Sequence, residues 1–331
     1  MKVAIITGVT GQDGSYLCEF LLDKGYKVIG IIRRSSVSKL DRLKNVLENN
    51  NFELVESDMC DAMSNNRILN KYCDFDRIEI YNLAAQSHVQ TSFDQPSYTF
   101  QVNTMAVISW LEAIRQSNFS NKIRFYQAGT SEMFGKVQKI PQTEETPFYP
   151  RSPYGVSKLS AHWICKNYRE SYGMFICNGI LFNHESERRG DNFVTKKIVN
   201  GLHEFVKTGK GFELGNLTAK RDWGYAPDYV KGMWMMLQTE SPDDYILSTG
   251  ETHTVREFID ECIKQSVWNG MFEWEGDVLM SNSKIVINTS DKFIRPAEVD
   301  ILIGDSSKAK QTLGWVSETD FQELVRKMSV N

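Results

Sequence analysis

The sequence predicts an α/β protein with a doubly wound parallel sheet and a smaller, interleaved α/β lobe. One observation is the alternation of short apolar runs with amphipathic helical segments along the first half of the chain. Another is a set of three glycines, each three residues from the next, directly after the first apolar run. The third is length, because 331 residues give room for one large α/β domain with an appended lobe.

Composition and charge argue against several classes of partner. A net charge of −4 gives no electrostatic reason to expect nucleic acid or an anionic membrane. The six cysteines are scattered, without a Cys-x-x-Cys pair or metal-ligand spacing with histidine, so we expect free thiols and no metal. The first apolar run is too short for a signal peptide, and no run reaches the roughly 18 apolar residues of a membrane span. We therefore predict a cytoplasmic protein.

The first unit of the predicted sheet is a strand, a helix and a second strand. Val3 to Ile6 form a buried apolar run, Ser15 to Lys24 are amphipathic, and Val28 to Ile32 form the next apolar run. Such a β-α-β unit of about 30 residues is the context in which a glycine pattern indicates a dinucleotide site.

Gly8, Gly11 and Gly14 connect the first strand to its helix. Glycine allows a tight turn and a close backbone approach to a pyrophosphate, whose charge faces the helix N-terminus. The alternative is a glycine-rich connection of an unrelated α/β protein. The position one strand from the amino terminus favours cofactor binding.

The end of the second strand indicates which dinucleotide is bound. An acidic residue about 20 positions after the glycines would bind the adenosine ribose of NAD. This chain has Arg33-Arg34-Ser35-Ser36 there, and no carboxylate. Guanidinium and hydroxyl groups suit a 2′-phosphate, so the sequence predicts NADP.

The carboxyl ends of the later strands should also face the ligand. We predict these strands at residues 52–55, 78–85, 123–127 and 174–181, with a crossover helix at 103–117. Asp58 follows the third strand and could contact the adenine edge. Ala84 and Ala85 leave room for the middle of the cofactor. Ser87 is a better site candidate than His88, because a lone loop histidine is more often structural.

Four side chains form a candidate proton-handling set. Ser152 and Pro153 favour a helix start, which places Tyr154 and Lys158 on one helical face. An ammonium group beside a phenol favours phenolate and would lower the tyrosine pKa from its usual value near 10. Thr130 and Glu132 follow the fifth strand, although each alone would more often be a helix cap and a solvated charge.

Together these motifs resemble a known family. The extended short-chain dehydrogenase/reductase superfamily, which has a Rossmann domain, is matched by Thr7–Gly14, Thr130–Glu132 and Tyr154-x-x-x-Lys158. Within it, the GDP-mannose 4,6-dehydratase family is matched by residues 147–154, 178–186, 221–224 and 295–299. The likeness extends from about residue 2 to residue 316.

The resemblance implies a reaction on a GDP-sugar. Tyr154, assisted by Lys158, would take the proton from O4 while hydride leaves C4 for NADP, and Thr130 would hold O4. The new ketone acidifies the C5 hydrogen, so Glu132 would remove the C5 proton and help to expel the C6 hydroxyl as water. Return of the hydride to C6 would regenerate the cofactor and give a GDP-4-keto-6-deoxy sugar.

The resemblance also implies the residues of each subsite. The implied NADP site comprises Gly8, Val9, Thr10, Gly11, Gln12, Asp13, Arg33, Asp58, Met59, Leu83, Ala84, Ala85, Gln86, Ser87, Tyr98, Lys158, His184 and Arg189. The implied GDP-sugar site comprises Ser87, Asn183, Val194, Lys197, Leu214, Gly215, Arg221, Arg295 and Glu298. We expect a homodimer or homotetramer, without metal, nucleic acid or membrane as partner.

The carboxy-terminal half should interleave the two lobes. We predict a helix from Asn192, a strand at 212–215, a helix at 228–237, a returning strand at 245–250, and helices at 255–266 and 307–313. The predicted NADP-binding domain is 1–182 with 219–250, and the predicted GDP-sugar lobe is 183–218 with 251–331.

Some positions depart from the family pattern and leave alternatives open. Gly129, Glu187 and Tyr225 replace the serine, proline and histidine that are usual there. Since we expect Gly129 and Glu187 near the sugar, a related GDP-hexose or GDP-heptose is an alternative substrate. A reductase or epimerase of the same superfamily is a second alternative, and a non-catalytic NADP-binding sensor is a third.

Overall fold

The computed structural model describes residues 2–266, 270–293, 297, 299 and 301–329. The strands are β1 (Lys2–Thr7), β2 (Lys27–Ile32), β3 (Phe52–Glu56), β4 (Arg77–Asn82), β5 (Ile123–Ala128), β6 (Phe175–Leu181), β7 (Asn183–Glu185), β8 (Phe212–Leu214), β9 (Lys220–Arg221), β10 (Trp223–Tyr225), β11 (Asp244–Leu247), β12 (His253–Thr254), β13 (Glu273–Glu275), β14 (Val278–Ser281) and β15 (Lys284–Thr289).

Helices lie between many of these strands along the chain. They are α1 (Gln12–Asp23), α2 (Ala62–Lys71), α3 (Val89–Asp94), α4 (Pro96–Phe100), α5 (Ala106–Arg115), α6 (Pro153–Tyr172), α7 (Val194–Thr208), α8 (Ala226–Met236), α9 (Val255–Gln265), α10 (Ser307–Leu313) and α11 (Phe321–Ser329). Short 3₁₀ turns occur at Asp41–Leu43, Ser120–Lys122, Ser131–Met133 and Asp291–Phe293.

The central sheet has seven strands in the order β3-β2-β1-β4-β5-β6-β11, and all its neighbouring strands pair in parallel. The chain runs outward in one direction from β1 to β3 and then in the other direction from β4. The switch point between β1 and β4 is where doubly wound sheets bind ligands. The predicted α/β fold with a doubly wound parallel sheet is confirmed.

Both faces of this sheet are covered by helices. Successive β1 residues alternate between the two hydrophobic cores, as the pleat requires. Ala4 and Ile6 pack beneath α1 and α8, whereas Val3 and Ile5 pack beneath α2, α5 and α6. Burial on both faces explains why the strands read as nearly continuous apolar runs.

A buried polar ladder joins the carboxyl ends of three strands at the switch point. The Thr7 hydroxyl donates to Asn82 Oδ1 at 2.8 Å, and Asn82 Nδ2 donates to Gln127 Oε1 at 2.8 Å. The Thr7 oxygen also accepts from the backbone N–H groups of Leu83 and Ala84, at 3.0 and 3.1 Å. The ladder therefore fixes the turn after β4 against the end of β1.

A second lobe is built around a mixed sheet in the order β13-β14-β15-β8. Its core is formed by α7, α9 and α11, with Leu202, Phe258 and Leu324 fully buried. Two pairs of short strands, β7 with β10 and β9 with β12, bring together segments of the carboxy-terminal half that are about 30 to 40 residues apart. The predicted division into 1–182 with 219–250 and 183–218 with 251–331 stays a prediction.

Helix α6 begins as the sequence indicates. Ser152 Oγ accepts from the Gly155 N–H at 3.0 Å, Pro153 is the first helical residue, and the helix ends at Gly173 with φ of +64°. The crossover helix differs from the prediction because it begins at Pro96 and continues through a π-helical segment, Gln101–Met105, into α5. In that segment, Asn103 Oδ1 accepts from the Gln86 N–H at 2.9 Å, and Asn103 Nδ2 donates to the Gln86 carbonyl oxygen at 3.0 Å.

None of the helices within the described ranges is both long and apolar enough to cross a bilayer.

Gly179 on β6 provides a test of close packing next to the site. A Cβ atom there would lie 2.4 Å from the Tyr126 hydroxyl, which has no hydrogen-bond partner among the described residues. Gly179→Ala should lower the free energy of unfolding by about 1–3 kcal/mol, as overpacked cores do. Tyr126→Phe alone should have little effect, because it removes an unsatisfied buried hydroxyl.

The double variant should recover part of the loss, since the closest clashing atom is then gone. Urea denaturation of the wild type, both single variants and the double variant measures this coupling. Strictly additive effects would show that the hydroxyl is not what Gly179 accommodates.

Candidate active site

A cavity of about 1200 Å³ lies at the carboxyl edge of the central sheet and continues between the two lobes. Of the predicted catalytic residues, all four line it: Thr130, Glu132, Tyr154 and Lys158. The predicted cofactor residues that line it are Gly8, Thr10, Gly11, Gln12, Asp13, Arg33, Asp58, Met59, Leu83, Ala84, Ala85, Ser87, Tyr98, His184 and Arg189. The predicted substrate residues that line it are Ser87, Asn183, Val194, Lys197, Leu214, Gly215 and Arg221.

Two of the predicted site residues that the structure describes do not line the cavity. Val9 is fully buried beneath β2. The Gln86 side chain accepts from the His88 N–H and donates to the Thr99 hydroxyl on α4. Arg295 and Glu298 lie outside the described residues.

The glycine-rich loop has the geometry of a pyrophosphate cradle. Gly8 has φ of +69° and accepts from the Gly11 N–H at 2.9 Å, and a Cβ at Gly14 would lie 2.4 Å from the Gly8 carbonyl oxygen. Gly11 caps α1 without a side-chain acceptor. Since a helix N-terminus carries partial positive charge, an anionic diphosphate fits this end of the cavity.

The end of the cavity beside β2 and β3 carries arginines, although not all of those that the sequence indicated. Arg33 lines the cavity and donates to the Tyr98 hydroxyl at 2.8 Å. Arg34 lies outside the lining and faces Glu56 at 3.8 Å, and Ser35 is also outside it.

The structure adds Arg42, which sequence reasoning missed. It lies in the 3₁₀ turn between β2 and β3, lines the cavity, and donates to the Thr10 carbonyl oxygen at 3.1 Å. No local pattern marks this arginine, because its place depends on how the β2–β3 connection folds back over the glycine-rich loop.

The candidate catalytic groups come from the end of β5, the 3₁₀ turn that follows it, and α6. Thr130 follows β5, and its hydroxyl accepts from the Glu132 N–H at 3.2 Å and is also hydrogen-bonded to Tyr154. Tyr154 and Lys158 lie one turn apart on α6, and Lys158 Nζ donates to the Ala128 carbonyl oxygen at 2.9 Å. A phenol, a hydroxyl and a carboxylate therefore share one part of the cavity.

The electrostatics of this pair differ from the sequence-based expectation. Burial raises the pKa of Tyr154 to about 12, the Thr130 hydrogen bond opposes that rise, and the Glu132 carboxylate adds to it. Burial also lowers the pKa of Lys158 to about 8. The Lys158 ammonium group is directed at a backbone carbonyl, so it does not make Tyr154 a phenolate in this arrangement. A base at this position needs a further positive charge nearby.

A buried ion pair connects the glycine-rich loop to the segment after β6. His184 Nε2 lies 2.9 Å from Asp13 Oδ2, its Nδ1 lies 2.7 Å from the Phe182 carbonyl oxygen, and its ring stacks on Tyr229 at 4.6 Å. Burial opposes both charges, but each group stabilises the other. The pKa of Asp13 is consequently lowered and the pKa of His184 is raised from their ordinary values.

The opposite end of the cavity belongs to the second lobe. Lys197 Nζ donates to the Glu213 carbonyl oxygen at 2.6 Å and lies 3.7 Å from the centre of the Phe293 ring. Phe293 and Lys292 line this end beside Leu214, and neither was predicted from the sequence. Arg221 is buried and donates to the Lys220 carbonyl oxygen at 2.8 Å.

Two of the positions that depart from the family pattern do not enlarge the sugar region. A Cβ at Gly129 would point at the Gly179 carbonyl oxygen, 2.7 Å away, so glycine permits close strand packing there. Glu187 is not a lining residue, and its carboxylate accepts from the Tyr16 hydroxyl on α1 at 2.6 Å. The expected position of Glu187 beside the sugar is therefore not observed.

Within the described ranges, histidine, cysteine and carboxylate side chains form no group of three or more that could hold a metal ion.

Solved structures share the fold of this chain. The chain aligns with a dTDP-glucose 4,6-dehydratase from Bacillus anthracis in complex with NAD, at a TM-score of 0.82 and 20% identity, over 99% of this chain and 96% of that one. It aligns with a UDP-glucose 4-epimerase from Thermotoga maritima at a TM-score of 0.82 and 22% identity, over 99% and 97% of the two chains. The chain therefore has the Rossmann-type α/β fold that these two structures share.

Sequence comparison narrows the class to one family. The family model described as GDP-mannose 4,6 dehydratase matches residues 5–328. The GDP-mannose 4,6 dehydratase of Cricetulus griseus is 50% identical over 338 residues, which cover 99% of this chain and 90% of the relative. That of Yersinia enterocolitica is 47% identical over 351 residues, with coverage of 99% and 93%. The chain belongs to the GDP-mannose 4,6-dehydratase family.

Proposed function

We propose that the protein dehydrates GDP-mannose to GDP-4-keto-6-deoxymannose with an NADP that stays bound. The observation that carries this proposal is the convergence of Thr130, Glu132 and Tyr154 in one cavity, beyond a loop shaped for a pyrophosphate. Membership of the family supports the same reaction. We also propose a cytoplasmic homodimer or homotetramer, as the sequence predicts.

The cofactor would lie along the sheet edge. The glycine-rich loop and the α1 N-terminus would hold the pyrophosphate, and Arg33 with Arg42 would hold a 2′-phosphate at the adenosine end. Small residues at Ala84 and Ala85 leave space along its middle. Bound at this edge, NADP supplies the hydride acceptor for C4 of the sugar and the hydride donor for C6.

Tyr154 would take the proton from O4 of the sugar, and Thr130 would hold O4 by a hydrogen bond. The Thr130 hydroxyl opposes the rise in the pKa of Tyr154, so the two groups are close enough for both to face O4 of the sugar. The positive charge that lowers the Tyr154 pKa would come from Lys158 and the oxidised nicotinamide together. The proton taken from O4 is then available for C5 when hydride is added to C6.

Glu132 would remove the C5 proton after C4 has become a ketone, and would pass that proton to the leaving C6 hydroxyl, which departs as water. The carboxylate lies in the 3₁₀ turn directly after Thr130, so the acid–base group and the O4 ligand are fixed by one short segment. A C4 reductase or epimerase needs no carboxylate aimed at C5 and C6.

The second lobe would bind the nucleotide. Arg221, with Arg295, would contact the diphosphate, Lys197 and Asn183 would contact the sugar nucleotide, and Leu214 with Gly215 would flank the guanine. Local cations are needed here because the whole chain carries a net charge of −4. Val194, Ser87 and Glu298 complete the proposed substrate site.

Incubating the purified protein with GDP-mannose, without added cofactor, tests the proposed reaction. The product should have lost one water and kept the GDP group, as followed by mass spectrometry. A reaction that requires added NADPH, or a product of unchanged mass, would favour the reductase or epimerase alternative. The same incubation with GDP-manno-heptose tests whether the protein acts on a related GDP-sugar instead.

Glu132→Gln should separate elimination from cofactor binding. We expect at least about 100-fold lower turnover, the low end of general acid–base contributions, with NADP affinity unchanged. Reduced nicotinamide should accumulate on addition of substrate, because C4 oxidation does not need the carboxylate. Near-normal turnover would remove Glu132 from the mechanism.

Arg42→Gln tests the preference for NADP. Loss of a charge-assisted hydrogen bond of about 1.5–3 kcal/mol should weaken NADP binding by roughly 10- to 100-fold, and NAD binding much less. Titration calorimetry with both dinucleotides measures the difference. Arg34→Gln is the matched control, because Arg34 is outside the cavity lining and should leave both affinities unchanged. Equal weakening of NADP and NAD would mean that Arg42 acts only on the glycine-rich loop.

A further inference from the structure

The first turns of α1 are bonded to a distant part of the chain, residues 184–188, which we call the tether segment. The tether segment follows β6 and contributes to β7, whereas α1 follows the glycine-rich loop. Their contacts join residues about 170 positions apart in sequence. They therefore bind the cofactor loop to the wall of the cavity that leads into the second lobe.

Gln12 is the point of contact nearest the glycine-rich loop. Its Nε2 donates to the His184 carbonyl oxygen at 3.0 Å, and its Oε1 accepts from the Ser186 hydroxyl at 2.8 Å. Gln12 and Ser186 are both buried. The amide is therefore held by its donor and its acceptor in a fixed orientation, and with it the first residue of α1.

Arg188 bonds to the outer side of the same helix. Its guanidinium donates to the Ser15 hydroxyl at 3.0 Å and to both Glu19 carboxylate oxygens at 2.9 Å. It also lies 4.0 Å from the centre of the Tyr16 ring, whose hydroxyl donates to Glu187 at 2.6 Å. Charge-assisted hydrogen bonds from one guanidinium nitrogen to both carboxylate oxygens hold Arg188 against α1.

The tether segment leads directly into the substrate side of the cavity. Arg189 and Asn192, just beyond it, line the cavity, and β7 pairs with β10 next to Arg221. In the proposed complex the dinucleotide would lie between the glycine-rich loop and this wall, so its release would be faster if the two moved apart. The tether segment opposes that separation.

The proposed reaction requires the cofactor to stay bound. Hydride would leave C4 in the first half-reaction and return to C6 in the last, so loss of the reduced cofactor in between would leave a keto sugar that cannot regain its hydride. Resting on the proposed function, we propose that Ser186 and Arg188 are positioning residues that keep the cofactor bound through the whole cycle, by tying the glycine-rich loop to the opposite wall.

The dissociation rate of NADPH tests this proposal without any sugar. NADPH bound to the protein is displaced by excess NADP, and the loss of its bound fluorescence is followed in a stopped-flow instrument. Arg188→Gln and Ser186→Ala should each release NADPH about 10-fold faster or more, the equivalent of a lost charged or buried hydrogen bond. Ser186→Ala serves if Arg188→Gln fails to fold.

Arg115→Gln is the matched control. Arg115 also donates to both oxygens of a carboxylate, that of Glu112, at 2.9 and 2.7 Å, on a helix surface that does not line the cavity. Its NADPH release should equal that of the wild type, even if its free energy of unfolding falls. Wild-type release from both tether variants would overturn the proposal, and so would equally fast release from Arg115→Gln.

A second measurement uses turnover. The wild type should keep its rate on dilution, whereas the tether variants should slow as reduced cofactor escapes, and should recover when NADP is added. If the protein fails to dehydrate GDP-mannose while the variants still release NADPH faster, the proposed function is wrong, but the role of the tether segment in retaining the cofactor is supported. If dehydration occurs but the release rates are unchanged, only the tether fails.

Discussion

The part of the candidate site at the edge of the central sheet depends on the parallel direction of its seven strands. Parallel strands place all their carboxyl ends at one edge, so segments that follow β1, β4, β5 and β6 meet there although they are far apart in sequence. The ladder of Thr7, Asn82 and Gln127 fixes three of those ends relative to each other. Because these polar groups are buried, each must be paired, and their pairing permits only one register.

The edge is completed by contacts between backbones that leave no room for a side chain. Gly8 approaches Ala84 so closely that a Cβ would lie 2.9 Å from its backbone, and Gly129 approaches Gly179 in the same way. The first contact narrows the switch point between β1 and β4. The second brings the segment carrying Thr130 and Glu132 onto β6. Close backbone packing, rather than large side chains, thus shapes the floor of the cavity.

Burial sets the chemical character of the side chains on that floor. It raises the pKa of Tyr154 to about 12 and lowers that of Lys158 to about 8, so both groups are driven towards their neutral forms. Asp13 and His184 are equally enclosed, but they lie within hydrogen-bond distance of each other, which lowers the pKa of Asp13 and raises the pKa of His184. Burial therefore favours the neutral forms of Tyr154 and Lys158, whereas pairing favours the charged forms of Asp13 and His184.

Features coded by neighbouring residues were predictable from the sequence. The glycine spacing, the Ser152–Pro153 helix start and the Tyr154–Lys158 spacing are local, and the structure has each of them as expected. The start of the crossover helix was predicted at residue 103, but the helix begins at Pro96. Its π-helical segment includes Asn103, whose contact with Gln86 is not a local feature of the sequence.

Long-range contacts decided the rest. Arg42 reaches the cavity because the 3₁₀ turn that carries it folds back on Thr10. Glu187 is not a lining residue, and its carboxylate accepts a hydrogen bond from Tyr16. Phe293, which belongs to the second lobe, lines the far end of the cavity. The pKa of Tyr154 also moved opposite to the expected direction, since burial outweighs a lysine that bonds elsewhere. The sequence determined the fold class and the family, through its motifs and their spacing. Most of the site residues that the family resemblance implied also line the cavity. Tertiary structure decided which charges face the cavity and how they ionise, because both depend on partners distant in sequence.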